Sequence, residues 1–119
     1  MNRFETLDIW NDAIDYGVRV YKLTKNFPQD ELYSLTNQLR RAAVSISSNI
    51  AEGSGSDSTK DFQRFLDISA KSTLETISQI LFAIKLEYTT KLEVSKLLES
   101  ATILTRRIYA FRNSLDRKP

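Results

Sequence analysis

Apolar residues recur at alternating three- and four-residue intervals along almost the whole chain, and only three short breaks interrupt the pattern. That interval is the period of a helix and not of a strand. The most regular run is the last, Val94, Leu97, Ala101, Leu104, Ile108, Phe111 and Leu115. An earlier one is Leu66, Ala70, Thr73, Ile77, Ile80 and Ile84, and before it come Leu32, Leu35, Leu39, Ala42, Ile46 and Asn49. The first segment carries two such stripes: Leu7, Trp10, Ile14, Gly17 and Tyr21, and Ile9, Ala13, Tyr16, Val20 and Leu23. An offset of two residues turns a helix by about 200°, so these stripes lie on different sides of it. With three Gly and two Pro in 119 residues, little interrupts long helices.

The breaks place the helices at about 4–26, 28–53, 58–88 and 90–115. Pro28 disfavours helical geometry at Phe27 and suits the first turn of the next helix, where Asp30 and Glu31 complement the dipole. The run Gly53-Ser54-Gly55-Ser56-Asp57 is the clearest loop. Ser58 is placed to cap the third helix, with Asp61 as its capping-box partner, and Thr89 or Thr90 to cap the fourth. Residues 116–119 are expected to fray. Short connections make successive helices antiparallel. The expected fold is therefore all-α: a single domain over residues 1–119, an up-down-up-down left-handed antiparallel four-helix bundle.

One bundle does not need this much apolar surface. A helix in such a bundle requires one apolar face of about 100° or slightly more, and the first helix has two. Ile68, Phe82 and Leu86 fall opposite the main stripe of the third helix, and Leu92 and Ile103 lie off that of the fourth. Ile9, Tyr16, Val20, Phe82 and Leu86 are therefore the expected interface of a homo-oligomer, closed by cyclic symmetry. The alternative is that the first helix is simply the most deeply buried.

Composition narrows the chemistry. Without Cys there is no disulfide framework or thiolate metal site, and without His the commonest base and metal ligand near neutral pH are missing. Glu52, Asp57, Asp61 and Asp67 gather near the Gly-Ser loop, where carboxylates cap a helix or, less plainly, hold Mg. The Gly-Ser run has no GK[ST] ending and follows a helix, unlike a phosphate loop. No catalytic residue, metal or cofactor is expected. The N-terminus carries neither a signal-peptide pattern nor a membrane-length apolar run, which points to the cytoplasm and away from a membrane.

Net charge is +2, too small to indicate a polyanion ligand by itself. Arg106, Arg107, Arg112, Arg117 and Lys118 crowd the end of the fourth helix, and Arg19, Lys22 and Lys25 that of the first. Terminal cations complement helix dipoles, but Arg40 and Arg41 lie mid-helix, where the dipole acts weakly. Arg40, Arg41, Arg106, Arg107 and Arg112 are the candidate phosphate contacts. The aromatic residues lie mostly on the apolar stripes and are read as core. Asn49, within a core stripe, is read as a register or backbone-binding residue.

The stretch Arg40-Arg41-Ala42-Ala43-Val44-Ser45-Ile46-Ser47-Ser48-Asn49-Ile50-Ala51-Glu52-Gly53 resembles the signature RRAAxSIxxNIAEG. That signature marks the bacterial four-helix-bundle family encoded in intervening sequences of 23S rRNA genes, often labelled S23 ribosomal protein. Leu7-Asp8-Ile9-Trp10, Phe27-Pro28, Phe62-Gln63-Arg64-Phe65-Leu66 and Ala70-Lys71-Ser72-Thr73-Leu74-Glu75 extend the likeness over most of the chain. The family usually has Gly-Ser where Lys71-Ser72 stands. The resemblance implies a bundle that assembles as a cyclic oligomer, a pentamer. It also implies kinship with the accessory variability protein of diversity-generating retroelements, a basic pentameric bundle that binds nucleic acid and a reverse transcriptase. It implies no catalytic residues. Two functions are thus expected in competition: a non-enzymatic homo-oligomer binding RNA or DNA through basic patches, or a protein-interaction scaffold with no nucleic-acid role. A hydrolase holding a metal near Asp57 and Asp61 is the remote third.

Overall fold

Each break in the apolar pattern becomes a turn closed by identifiable hydrogen bonds. The computed structural model, which describes residues 1–116, contains four α-helices: α1 (Asp8–Thr24), α2 (Leu35–Ser54), α3 (Thr59–Lys85) and α4 (Lys91–Ser114). Ser58 Oγ accepts from the Asp61 N–H and Thr90 Oγ1 from the Glu93 N–H, so two helices start on the expected hydroxyl caps. Asp61 does not complete a capping box; its carboxylate binds Arg64 instead. The α3 C-terminus is closed by two reversed bonds, Glu87 N–H to Ile84 O and Tyr88 N–H to Ala83 O. That motif needs a left-handed residue just past the helix, and Glu87 supplies it with φ 65°.

Two starts lie later than the pattern indicates. Arg3–Thr6 form a separate 3₁₀ turn, and Leu7, extended at φ −85° and ψ 126°, divides it from α1. Gln29–Glu31 form a second 3₁₀ turn, and α2 begins only at Leu35. Glu31 explains the delay. Its carboxylate accepts from Ser34 Oγ, the Leu35 N–H and the Tyr88 hydroxyl, the last at 2.6 Å. These bonds anchor the first turn of α2 to the α3–α4 connection. The hydrogen bond from Tyr88, then those from Ser34 and Leu35, hold the Glu31 carboxyl below its ordinary range. Leu32, half of the expected first core pair, is left outside the helix and more than one-third exposed.

The helices pack in sequence order round a ring, α1 on α2, α2 on α3, α3 on α4 and α4 on α1. Every neighbouring pair is antiparallel. Gly53 at the end of α2 meets Phe62 and Phe65 at the start of α3, and Gln63 near the start of α3 donates to the Arg112 carbonyl near the end of α4. Arg107, late on α4, reaches Asp12, early on α1, and Arg40, early on α2, reaches Thr24 at the end of α1. The result is an all-α four-helix bundle measuring 50 × 24 × 22 Å. Its core is filled by Leu39, Ile46, Ile50, Leu66, Ile80, Val94, Leu104 and Ile108, each no more than 3% exposed.

The core is not purely aliphatic. The inner face of α3 carries Ser69, Ser72, Thr73 and Thr76, all buried. Their hydroxyls find partners across the bundle: Ser69 donates to the Ile46 carbonyl of α2, Thr73 pairs with Thr105 of α4, and Thr76 pairs with Tyr16 of α1. Ser45 pairs with Ser72, and Asn49 donates to the carbonyl and hydroxyl oxygens of Ser45. Asn49 therefore has the backbone-binding role expected of it. Buried hydroxyls satisfied this way add directional specificity that dispersion alone lacks.

The second stripe of α1 corrects the sequence reading. Ile9, Tyr16 and Val20, expected on an oligomer interface, are 5%, 2% and 0% exposed and belong to the core of the protomer. α1 turns this stripe inward because it must meet α2 on one side and α4 on the other. The other stripe is left on the rim, with Ile14 and Tyr21 both more than one-third exposed.

Candidate interaction surfaces

The five candidate arginines divide into committed and uncommitted side chains. Arg40 donates from Nε to Thr24 Oγ1 at 2.8 Å and lays its guanidinium 4.7 Å from the centre of the Tyr21 ring. It is a clasp between α1 and α2. Arg107 pairs with Asp12, with Asp8 4.0 Å away, across the α1–α4 groove. Arg112 donates to Asp67 at 3.1 Å and has Asp116 at 3.7 Å, which joins α4 to α3. Arg41 and Arg106 are exposed and, among the described residues, have no carboxylate partner. They sit on α2 and α4, which face each other across a diagonal of the bundle. The protomer therefore does not gather its arginines into one basic site. Arg117 and Lys118 lie outside the described residues.

Two of the four carboxylates near the Gly-Ser loop are likewise occupied with arginine, Asp61 with Arg64 and Asp67 with Arg112, whereas Glu52 and Asp57 have no arginine partner among the described residues. No group of three or more His, Cys, Asp or Glu stands ready to hold a metal among the described residues. No described helix is long and apolar enough to cross a membrane.

Exposed apolar side chains are spread over all four helices, Leu74, Leu81, Leu92 and Ile103 among them, and at two places groups of them border a groove or a shallow pocket. The first is a groove of about 410 Å³ between α1 and α2. Its floor is made of small residues, Ala13, Gly17, Ala43 and Ser47, and its walls of Ile14, Val18, Tyr21 and Val44. Lys22 and Lys25 close one end. Val18 is 50% and Val44 47% exposed. Sequence reasoning missed this groove because it assigned the two α1 stripes the wrong way round. A usable signal was present: Val18 lies seven residues from both Asn11 and Lys25, so it shares a column with polar groups and not with core ones.

The second place is the outer face of α3. Phe82 is 60% exposed, and Leu86 and Ile68 are also uncovered, as the spacing predicted. Phe82 and Leu86 form a ridge beside a shallow pocket of about 300 Å³ shared with Ser34, Leu35 and Gln38 of α2. Gln79 lies in this pocket. Its amide nitrogen donates to Glu75, but its oxygen is buried without a partner.

The profile of the 23S rRNA-intervening sequence protein family matches residues 5–110. The chain belongs to that family. A further likeness places this family member's fold beside a solved one, the crystal structure of a protein of unknown function from the S23 ribosomal protein family of Bacteroides thetaiotaomicron. The two superpose with a TM-score of 0.78 over 87% of this chain and 97% of the other, at 23% identity. At that identity the likeness speaks for the bundle alone. No curated protein matches the chain. Within the family signature, Arg40, Ala43, Ser45, Ile46, Asn49 and Gly53 now have structural roles: the α1–α2 clasp, the groove floor, the hydroxyl network, the core and the close approach to α3.

Proposed function

We propose that this family member is a non-enzymatic assembly module that associates with copies of itself into a closed ring, as the resemblance to pentameric bundles implied. The observation that carries this reading is the pairing of a filled core with two separate uncovered apolar surfaces. Apolar side chains not needed by the protomer cost solubility unless something covers them. Two unlike surfaces on one protomer also suit head-to-tail contacts, which close into rings when the rotation between copies divides the circle. Of the two carboxylates that the hydrolase reading needs, Asp61 is paired with Arg64, and no third ligand stands with Asp57 among the described residues, which argues against that reading.

Sedimentation velocity over a range of concentrations tests the proposal. One species several times the 13.7 kDa chain mass is expected. A chain that stays at that mass up to high micromolar concentration refutes it.

A second reading, that the assembled ring binds RNA or DNA, draws on Arg41 and Arg106. A ring repeats these unpartnered cations in every copy, so it can collect charge that one protomer scatters. Arg41→Ala/Arg106→Ala is expected to weaken binding of a labelled single-stranded RNA and to flatten its salt dependence. Retention of wild-type affinity and slope, or binding indifferent to salt, favours a protein-interaction scaffold instead.

A further inference from the structure

The α1–α2 groove changes character along its length. Its sides are apolar, and no Asp or Glu is among the residues that line it. Its cations are confined to one end, where Lys22 and Lys25 stand. Neither lysine pairs with a carboxylate among the described residues, although Lys22 also borders the α1–α4 cleft that holds Glu93. Arg40 adds charge to the same end, its guanidinium 4.7 Å from the ring of Tyr21, which forms one wall. Arg40 spends Nε on Thr24 but has no carboxylate partner among the described residues.

The spacing on α1 produces this gradient. Ile14, Val18 and Lys22 follow at four-residue steps, and Lys25 lies seven residues beyond Val18, so one face turns from apolar to cationic toward the helix end. The helix dipole accounts for lysines there, but not for the uncovered valines that lead up to them. An apolar trough with positive charge at one end only is complementary to an apolar body with a single anionic head.

The dimensions select the kind of body. From Ala13 to Lys25 the groove runs about 18 Å at the helical rise per residue. Spread over that length, about 410 Å³ makes a channel only several ångströms wide. An α-helix of a partner, about 10–12 Å across with its side chains, would rest on the rims without filling it. A single polymethylene chain fits. The floor favours it too: a Cβ added at Gly17 would meet nothing nearer than the Ala43 carbonyl oxygen at 3.9 Å, so the space above Gly17 is open. We infer that the groove binds a free long-chain carboxylate, its tail along Val18, Gly17 and Val44 and its head among Lys22, Lys25 and Arg40. The inference goes beyond the assembly reading and does not rest on it.

Calorimetric titration of the full chain with laurate tests the inference. From octanoate to decanoate to laurate, affinity should rise about fourfold per two-carbon step, half the free energy of full methylene burial, because one side of the groove stays open to water. Dodecyltrimethylammonium, with the same tail and the opposite head, should bind at least tenfold more weakly. Gly17→Leu fills the floor from open space, so it should abolish laurate binding while circular dichroism shows the helices intact. Lys22→Glu/Lys25→Glu should weaken laurate several-fold and favour the cationic amphiphile instead. Phe82→Asp, on the other apolar surface, should change nothing. The inference is overturned if laurate does not bind, if wild type takes both amphiphiles equally, or if Gly17→Leu binds laurate like wild type. Binding to vesicles of acidic phospholipid without binding of dissolved laurate would also overturn it and assign the groove to a membrane surface. The sedimentation experiment contains no amphiphile, so either reading can fail without the other.

Discussion

Truncating Tyr16 to Ala is expected to cost about 3–5 kcal/mol of unfolding free energy, as for other large buried rings. Small domains hold about 5–15 kcal/mol in all, so this one change removes much of the total. Tyr16 is the largest side chain fully enclosed by the bundle, 2% exposed. Tyr16→Phe keeps the ring and loses only the hydroxyl, whose partner Thr76 still donates to the Thr73 carbonyl. That change should cost about 1 kcal/mol. Urea denaturation at two protein concentrations separates a core role from an interface role. A core residue lowers the midpoint equally at both, whereas an interface residue changes its dependence on concentration. A Tyr16→Ala chain with the wild-type midpoint would refute the placement. The phenol also gives a pH signature. Burial pushes its pKa above the ordinary 10, against the opposing effects of the Thr76 bond and the Arg19 charge. The unfolded chain ionises first as pH rises, so this group's contribution is complete below pH 10 and is lost above it. Tyr16→Phe should remove that part of the alkaline loss.

The second large effect is expected at Gly53. A Cβ added there would stand 2.7 Å from the Phe62 ring and 2.8 Å from Phe65 Cβ. The ring can be displaced at some cost, since it packs edge-on against Phe111. Phe65 Cβ is bonded to the α3 backbone and cannot move unless the helix moves. Gly53→Leu should therefore cost as much as or more than the ~1–3 kcal/mol typical of overpacking. Gly53→Ala should cost less, because about 1 kcal/mol of gained helix propensity offsets part of the clash. Thermal unfolding of the two variants checks the order. A Gly53→Leu chain as stable as wild type would mean that α2 and α3 do not approach this closely.

The sequence announced the helices more clearly than their environments. Ser58 and Thr90 cap where local chemistry puts them, because capping involves only four consecutive residues. The late start of α2 depends on Tyr88, which is 57 residues from Glu31 in sequence. No local pattern contains that bond. The two α1 stripes were both apolar enough to face inward, and their assignment depends on where α2 and α4 sit. The same limit explains the arginines: Arg107 and Arg112 looked available until tertiary structure brought Asp12 and Asp67 against them. Phe82 and Leu86 were legible because they oppose a well-defined core stripe on their own helix.

The hydroxyls along α3 fix the angles between helices as well as filling the core. Leucine-like contacts tolerate a helix sliding or rolling slightly against its neighbour; a serine bonded to one particular carbonyl, as Ser69 is to Ile46, does not. The groove and the ridge are therefore held at a constant angle by the interior of each protomer. In a closed ring, an angular error in one subunit is repeated in every other, and a few degrees multiplied around the circle leave a gap. For the proposed ring, a polar seam that keeps each bundle a stiff wedge would be a device for tolerance, making the last joint fit as well as the first.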